Sequence, residues 1–139
     1  MAGWRITVSR AIFGGLIYAG VVFAFAFATG ALRTLALSQA WGLTPVVAVL
    51  VELPLVLVVA WIACRAVLRR MPVPARAGLR LTMGIVALVM ILVLEFALVA
   101  MMNGSSFTDF LASYGKPDVV LGLIGQLAFA AFPLARMNV

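Results

Sequence analysis

The chain has 139 residues, of which 66% are hydrophobic and only 10% charged, with a net charge of +6 and a mean hydropathy of +1.25. This composition excludes a soluble globular domain, and with so little polar mass the positive balance needs no nucleic-acid partner. Histidine is absent and cysteine occurs once, at Cys64, which excludes His-based metal or haem ligation and any intrachain disulfide.

Four apolar runs set the predicted elements: Ala11–Leu32, Pro45–Ala63, Leu81–Met102 and Val119–Ala135. Each is about long enough to cross a hydrocarbon core of roughly 30 Å as a helix rising 1.5 Å per residue. No segment alternates with the two-residue period of a barrel strand. The expected fold is an all-α membrane protein, a single four-helix transmembrane domain over residues 1–139 built from two hairpins.

The first run follows Trp4, Arg5 and Arg10 and contains Ala26-Phe27-Ala28, so it imitates the three regions of a signal peptide. It continues well past a usual apolar region of ~7–15 residues, and Arg33 and a polar loop then close it, as they would close a true span. On this span Ala11, Gly15 and Ala19 recur at four-residue spacing and form a small-residue packing face. The second run opens with Thr44-Pro45, proline being suited to a first helical turn. It contains Glu52 and, two residues on, Pro54, which removes a backbone donor and predicts a kink beside the carboxylate.

The loop between runs two and three carries Arg65, Arg69, Arg70, Arg76 and Arg80, with no acid, around the stiff stretch Met71-Pro72-Val73-Pro74. Together with Arg5, Arg10 and Arg136 it satisfies the positive-inside rule for both termini in the cytoplasm. The third run holds Glu95 and ends at Asn103-Gly104-Ser105-Ser106. Apolar residues at helical spacing (Phe107, Phe110, Leu111, Tyr114) then predict a short amphipathic turn on the outer surface. Lys116-Pro117-Asp118 opens the fourth run, whose Gly122, Gln126 and Ala130 again lie four residues apart.

Depth brings the polar residues together. Counting from the outer ends of their spans places Glu52, Glu95 and Gln126 each roughly 10 Å below the interface. Arg33 can snorkel inward from the end of span one, with Thr29 one turn below it. A polar cluster of Arg33, Glu52, Glu95, Gln126 and Thr29 is therefore expected in the outer half of the bundle, and none in the inner half. Carboxylates at such depth are costly unless paired, neutralised or wetted.

In one reading the cluster is structural: Arg33 balances one acid, Gln126 and Thr29 satisfy the rest, and the second acid is neutralised in place. In the other, Glu52 and Glu95 bind a cation or relay a proton. No hydroxyl, base and acid combine into a catalytic triad, and no glycine-rich loop offers a phosphate site, so neither an enzyme nor a cofactor is expected.

Gly30-Ala31-Leu32-Arg33 followed by Glu52-Leu53-Pro54 resembles the G-x-x-R and E-x-P pattern of small four-helix bacterial inner-membrane proteins of unassigned function. The resemblance covers about the first half of the chain. It implies that Arg33, Glu52 and Pro54 work as a unit in a bacterial inner membrane, and it carries no activity. The function expected from the sequence is a non-enzymatic interaction or accessory subunit, working as a homo-oligomer or with a partner membrane protein. The alternative is a small transporter or channel coupled to protons or cations.

Overall fold

The computed structural model describes residues 2–137. Four of its helices are long and apolar enough to cross a membrane. The first, α1 (Ala2–Leu32), runs on through five residues of π-helix, Arg33–Leu37, into the short α2 (Ser38–Trp41). Then come α3 (Pro45–Arg70), α4 (Ala77–Asn103), the short α5 (Phe107–Ala112) with a single 3₁₀ turn at Ser113–Gly115, and α6 (Pro117–Ala135).

Local chemistry accounts for most of these boundaries. Thr44 caps α3, its hydroxyl accepting from the Val47 N–H, and Pro45 fills the first helical position. The α3 helix stops at Met71 because Pro72 and Pro74 follow. Gly104 closes α4 with a φ of 63°, a left-handed cap that glycine adopts without steric cost. Ser106 and Asp109 form a reciprocal capping box on α5. The Ser106 N–H and then the Ser106 hydroxyl hold the exposed Asp109 carboxyl below the usual carboxylate range.

The helices outrun the apolar segments that announce them. The stretch expected as a loop over Cys64–Arg80 is helical up to Arg70 and again from Ala77. Backbone in a membrane interface is still best satisfied as helix, while long arginine side chains reach headgroups from its surface.

Each long helix packs on two neighbours, α1 and α6 both lying against α3 and α4. Glycines set the closest approaches. A Cβ on Gly15 would lie 2.6 Å from the Met83 carbonyl of α4. A Cβ on Gly84 of α4 would overlap the Ala130 carbonyl of α6, and one on Gly125 of α6 would overlap Leu53 of α3. Three of the four helix seams thus have a glycine where backbones or bulky chains meet, the usual means of bringing membrane helices together.

The two ends of the bundle are built differently. Towards the Arg80 end it is solid: Ala11, Tyr18, Ala19, Ala60, Cys64, Met83 and Ala87 are completely buried. Tyr18 crosses from α1 to stack on Phe129 of α6 with ring centroids 4.3 Å apart, and its hydroxyl donates to the Phe129 carbonyl at 2.9 Å. Towards the Arg33 end the helices part around an open-sided cavity. The outward faces present large apolar side chains such as Val51, Val58, Ile62, Ile85 and Val93, as lipid-facing helix surfaces do.

Candidate functional site: a polar cluster in the bundle cavity

The cavity has a volume of about 620 Å³ and is walled by all four long helices and the start of the π-helical segment. Four of the five residues expected in the polar cluster line it: Arg33, Glu52, Glu95 and Gln126. Thr29 touches the cluster through Glu52, its hydroxyl donating to Glu52 Oε1 at 2.7 Å.

The cluster resolves into two separate pairs. In the first, Arg33 Nη1 lies 2.8 Å from Glu52 Oε2, so that with Thr29 both carboxylate oxygens of Glu52 are engaged from α1 and its extension. Gly30 lies alongside, where a Cβ would make only ordinary van der Waals contact with Glu52 Oε1, at 3.8 Å. Arg33 is the first residue of the π-helical segment, a widened turn of a kind often found where a helix must re-aim a side chain. In the second pair, Gln126 Nε2 of α6 donates to Glu95 Oε1 of α4 at 2.6 Å. Gln126 Oε1 is buried and has no hydrogen-bond partner among the described residues. Among the described residues one carboxylate thus has a cation and a hydroxyl, while the other has a neutral amide.

Pro54 lies on the exposed face of α3, and the helix continues unbroken through it. Ala11, Gly15 and Ala19 are buried against the rest of the bundle. Ala130 packs beside the core, where its carbonyl faces Gly84. Gly122, expected on a packing face with Gln126 and Ala130, instead lines the cavity with open space around its missing Cβ. The packing glycine of α6 is Gly125, one helical position from Gln126 rather than four.

The closed end corrects a second expectation, that the inner half is free of polar groups. Arg80, counted from sequence as a loop residue, lies within α4 and is 1% exposed; Arg136, counted as part of the tail, is 8% exposed. The Arg136 guanidinium lies 3.8 Å from the centre of the Trp61 ring, a cation–π contact, and Trp61 meets Phe132 edge to face. Helix continuation past the apolar run buries these side chains, and run length alone does not report it. A tryptophan near a helix end opposite a tail arginine was the available signal.

The segment after α4 behaves as its periodicity predicts, with an added anchor. Phe107 and Phe110 of α5 pack edge to face on Phe96 of α4, each with centroids 5.5 Å away, and Tyr114 packs on Phe110. Burial, and secondarily the charge of Glu95, pushes the Tyr114 hydroxyl above the usual tyrosine range. The short helix is thereby tied to the shoulder of the helix that carries Glu95.

No protein-family model, curated protein or solved structure matches this chain.

Proposed function

We propose that this chain is a non-enzymatic protein of a bacterial inner membrane that takes up a proton or cation in the cavity between its helices, with Glu52 and Glu95 as the acidic groups. One observation carries the reading: a cavity of about 620 Å³ contains two carboxylates and a single arginine, and that arginine is bound to Glu52. A carboxylate at such depth must be paired, neutralised or wetted, and a cavity of this size beside the acid that lacks a cation has room for water, a proton carrier or a cation.

In the topology we propose, the helices pair as two hairpins, α1 with α3 and α4 with α6. Both termini and the turn between α3 and α4 lie in the cytoplasm, since Arg5, Arg10, Arg65, Arg69, Arg70 and Arg76 cluster on those segments. The cavity then belongs to the outer half of the membrane. The resemblance of Gly30–Arg33 and Glu52–Pro54 to small bacterial inner-membrane proteins supports the same placement.

A second reading is favoured by the partners themselves. Glu52 is bonded across α1 and α3, and Glu95 across α4 and α6, so the pairs also cross-link the bundle at its open end. An accessory or interaction subunit, held in register by these links and assembling with itself or with a partner membrane protein, would use them in that way.

Flux into liposomes separates the two. Under the uptake reading, wild-type protein carries protons or alkali cations, and Glu95→Gln abolishes the flux with an unchanged unfolding temperature. Wild-type protein that is folded but carries neither would move the assignment to the accessory role, as would Glu95→Gln protein that conducts normally.

A further inference from the structure

We infer that the cavity accepts an organic monocation with an apolar body, an ammonium carried on a hydrocarbon or aromatic frame, whose charged head sits between Glu95 and Gln126. This rests on the uptake reading for the site and names the class of molecule it would hold.

Volume is the first ground. About 620 Å³ lies within the range of roughly 300–1,000 Å³ in which small-molecule sites fall. A proton or alkali ion would leave nearly all of it unfilled.

The walls are the second ground. Beyond the four polar cluster members the lining is dominated by side chains such as Val22, Phe27, Leu53, Leu57, Ile91 and Phe129. Phe23 and Phe27 stack on one another at 6.3 Å along one side, offering aromatic faces to a cation or to a ring. A strongly hydrated ion gains little from such walls, whereas an apolar frame gains by leaving water.

Charge and hydrogen-bond polarity choose the head group. Arg33, Glu52 and Glu95 carry formal charges of +1, −1 and −1, leaving one negative charge over, and Arg33 is bound to Glu52. An anionic head would therefore meet an occupied guanidinium and an unbalanced acid. At the second pair the groups still able to bond are acceptors: the Glu95 carboxylate, which takes one hydrogen bond among the described residues, and the buried, unpartnered Gln126 Oε1. With Glu95 ionised, as pairing with a cation requires, the amide presents Nε2 to the carboxylate, because the reverse would set two acceptor oxygens 2.6 Å apart. A group that donates more than one hydrogen bond and carries a positive charge complements both acceptors, and an ammonium does so. Among the described residues no three acidic, thiol or imidazole groups gather in one place, so the site offers no all-protein cage for a divalent metal.

The test is calorimetric titration of the full chain, in zwitterionic lipid nanodiscs, with naphthylmethylammonium, its neutral counterpart naphthylmethanol and the anion naphthoate. The ammonium is expected to bind wild-type protein about tenfold or more tighter than the alcohol, the size of a charge-assisted hydrogen bond, and Glu95→Gln should erase that preference. Gly122→Leu supplies an independent variant. Nothing lies within 4 Å of a Cβ at that position, so the new side chain enters the cavity and should abolish binding while the unfolding temperature holds.

Equal binding of alcohol and ammonium overturns the inference. So does preference for the anion, undiminished binding in Gly122→Leu, or no ammonium binding by folded wild-type protein. Ammonium binding without proton or alkali-cation flux would sustain the inference and sink the transport step. Flux without ammonium binding would do the reverse.

Discussion

Glu52 and Glu95 are the same residue type at similar depth, yet their surroundings assign them different work. Glu52 is held from two sides, with a guanidinium at 2.8 Å and a hydroxyl at 2.7 Å. Replacing it with glutamine removes the charge that Arg33 needs. A fully buried pair broken in this way costs about 3–5 kcal/mol. Here the Arg33 side chain is 31% exposed and Glu52 16%, and Arg33 is long enough to reach the interface when its partner is lost, so about 1–2 kcal/mol is the expected cost. Thermal unfolding of Glu52→Gln, Arg33→Met and the double variant measures it. The double variant should be more stable than the sum of the singles predicts, because it leaves no orphaned charge. Additivity within about 0.5 kcal/mol would mean that the two side chains do not act as a unit. Glu95 has no cation to orphan, so its glutamine variant should unfold close to wild type, and for that reason it is the cleaner probe of function.

At the scale of elements, glycines determine how closely the helices meet, and their azimuth matters more than their spacing. Gly84 and Gly122 both sit in apolar helical sequence, but one faces the Ala130 carbonyl and the other faces open space. Gly84→Ala must push α4 away from α6, and overpacking of this kind typically costs about 1–3 kcal/mol. Gly122→Ala should stay within about 0.5 kcal/mol of wild type. Equal effects in a chemical-unfolding comparison would show that the seam between α4 and α6 does not depend on close approach at Gly84. The same distinction explains what could be read in advance. Run length and turn residues located all four long helices, the Pro-rich turn and the short aromatic helix after Asn103. Residue spacing located the small-residue face of Ala11, Gly15 and Ala19. Spacing does not say which side of a helix meets a neighbour, so it singles out neither Gly84 nor Gly125 and sets Gly122 on a seam.

For the whole molecule, counting residues along each span gives depth, and depth was enough to bring Arg33, Glu52, Glu95, Gln126 and Thr29 to one level. It could not divide them into two pairs, which requires the rotation of each helix about its axis. Nor could it anticipate that the bundle is packed solid around Tyr18 and Met83 and hollow around Gln126, because that difference arises where four surfaces meet. The hollow end has a direction only once the membrane is placed, and the orientation we propose rests on the arginines. Arg65, Arg69, Arg70 and Arg76 flank the turn between α3 and α4, while the segment between α4 and α6 carries Asp109 and Lys116, with Asp118 in the first turn of α6. Moving the first set across the bilayer would work against the charge bias that orients spans during insertion. A Cys64→Ser background with a single new cysteine at Ala75 or at Ser105 reads the outcome directly. A membrane-impermeant maleimide applied to intact spheroplasts should label Ser105→Cys at once, and Ala75→Cys only after permeabilisation. The opposite pattern would turn the cavity towards the cytoplasm and make any ligand an internal one. Labelling of both sites in intact cells would remove the four-span topology altogether, since the two positions lie at opposite ends of α4.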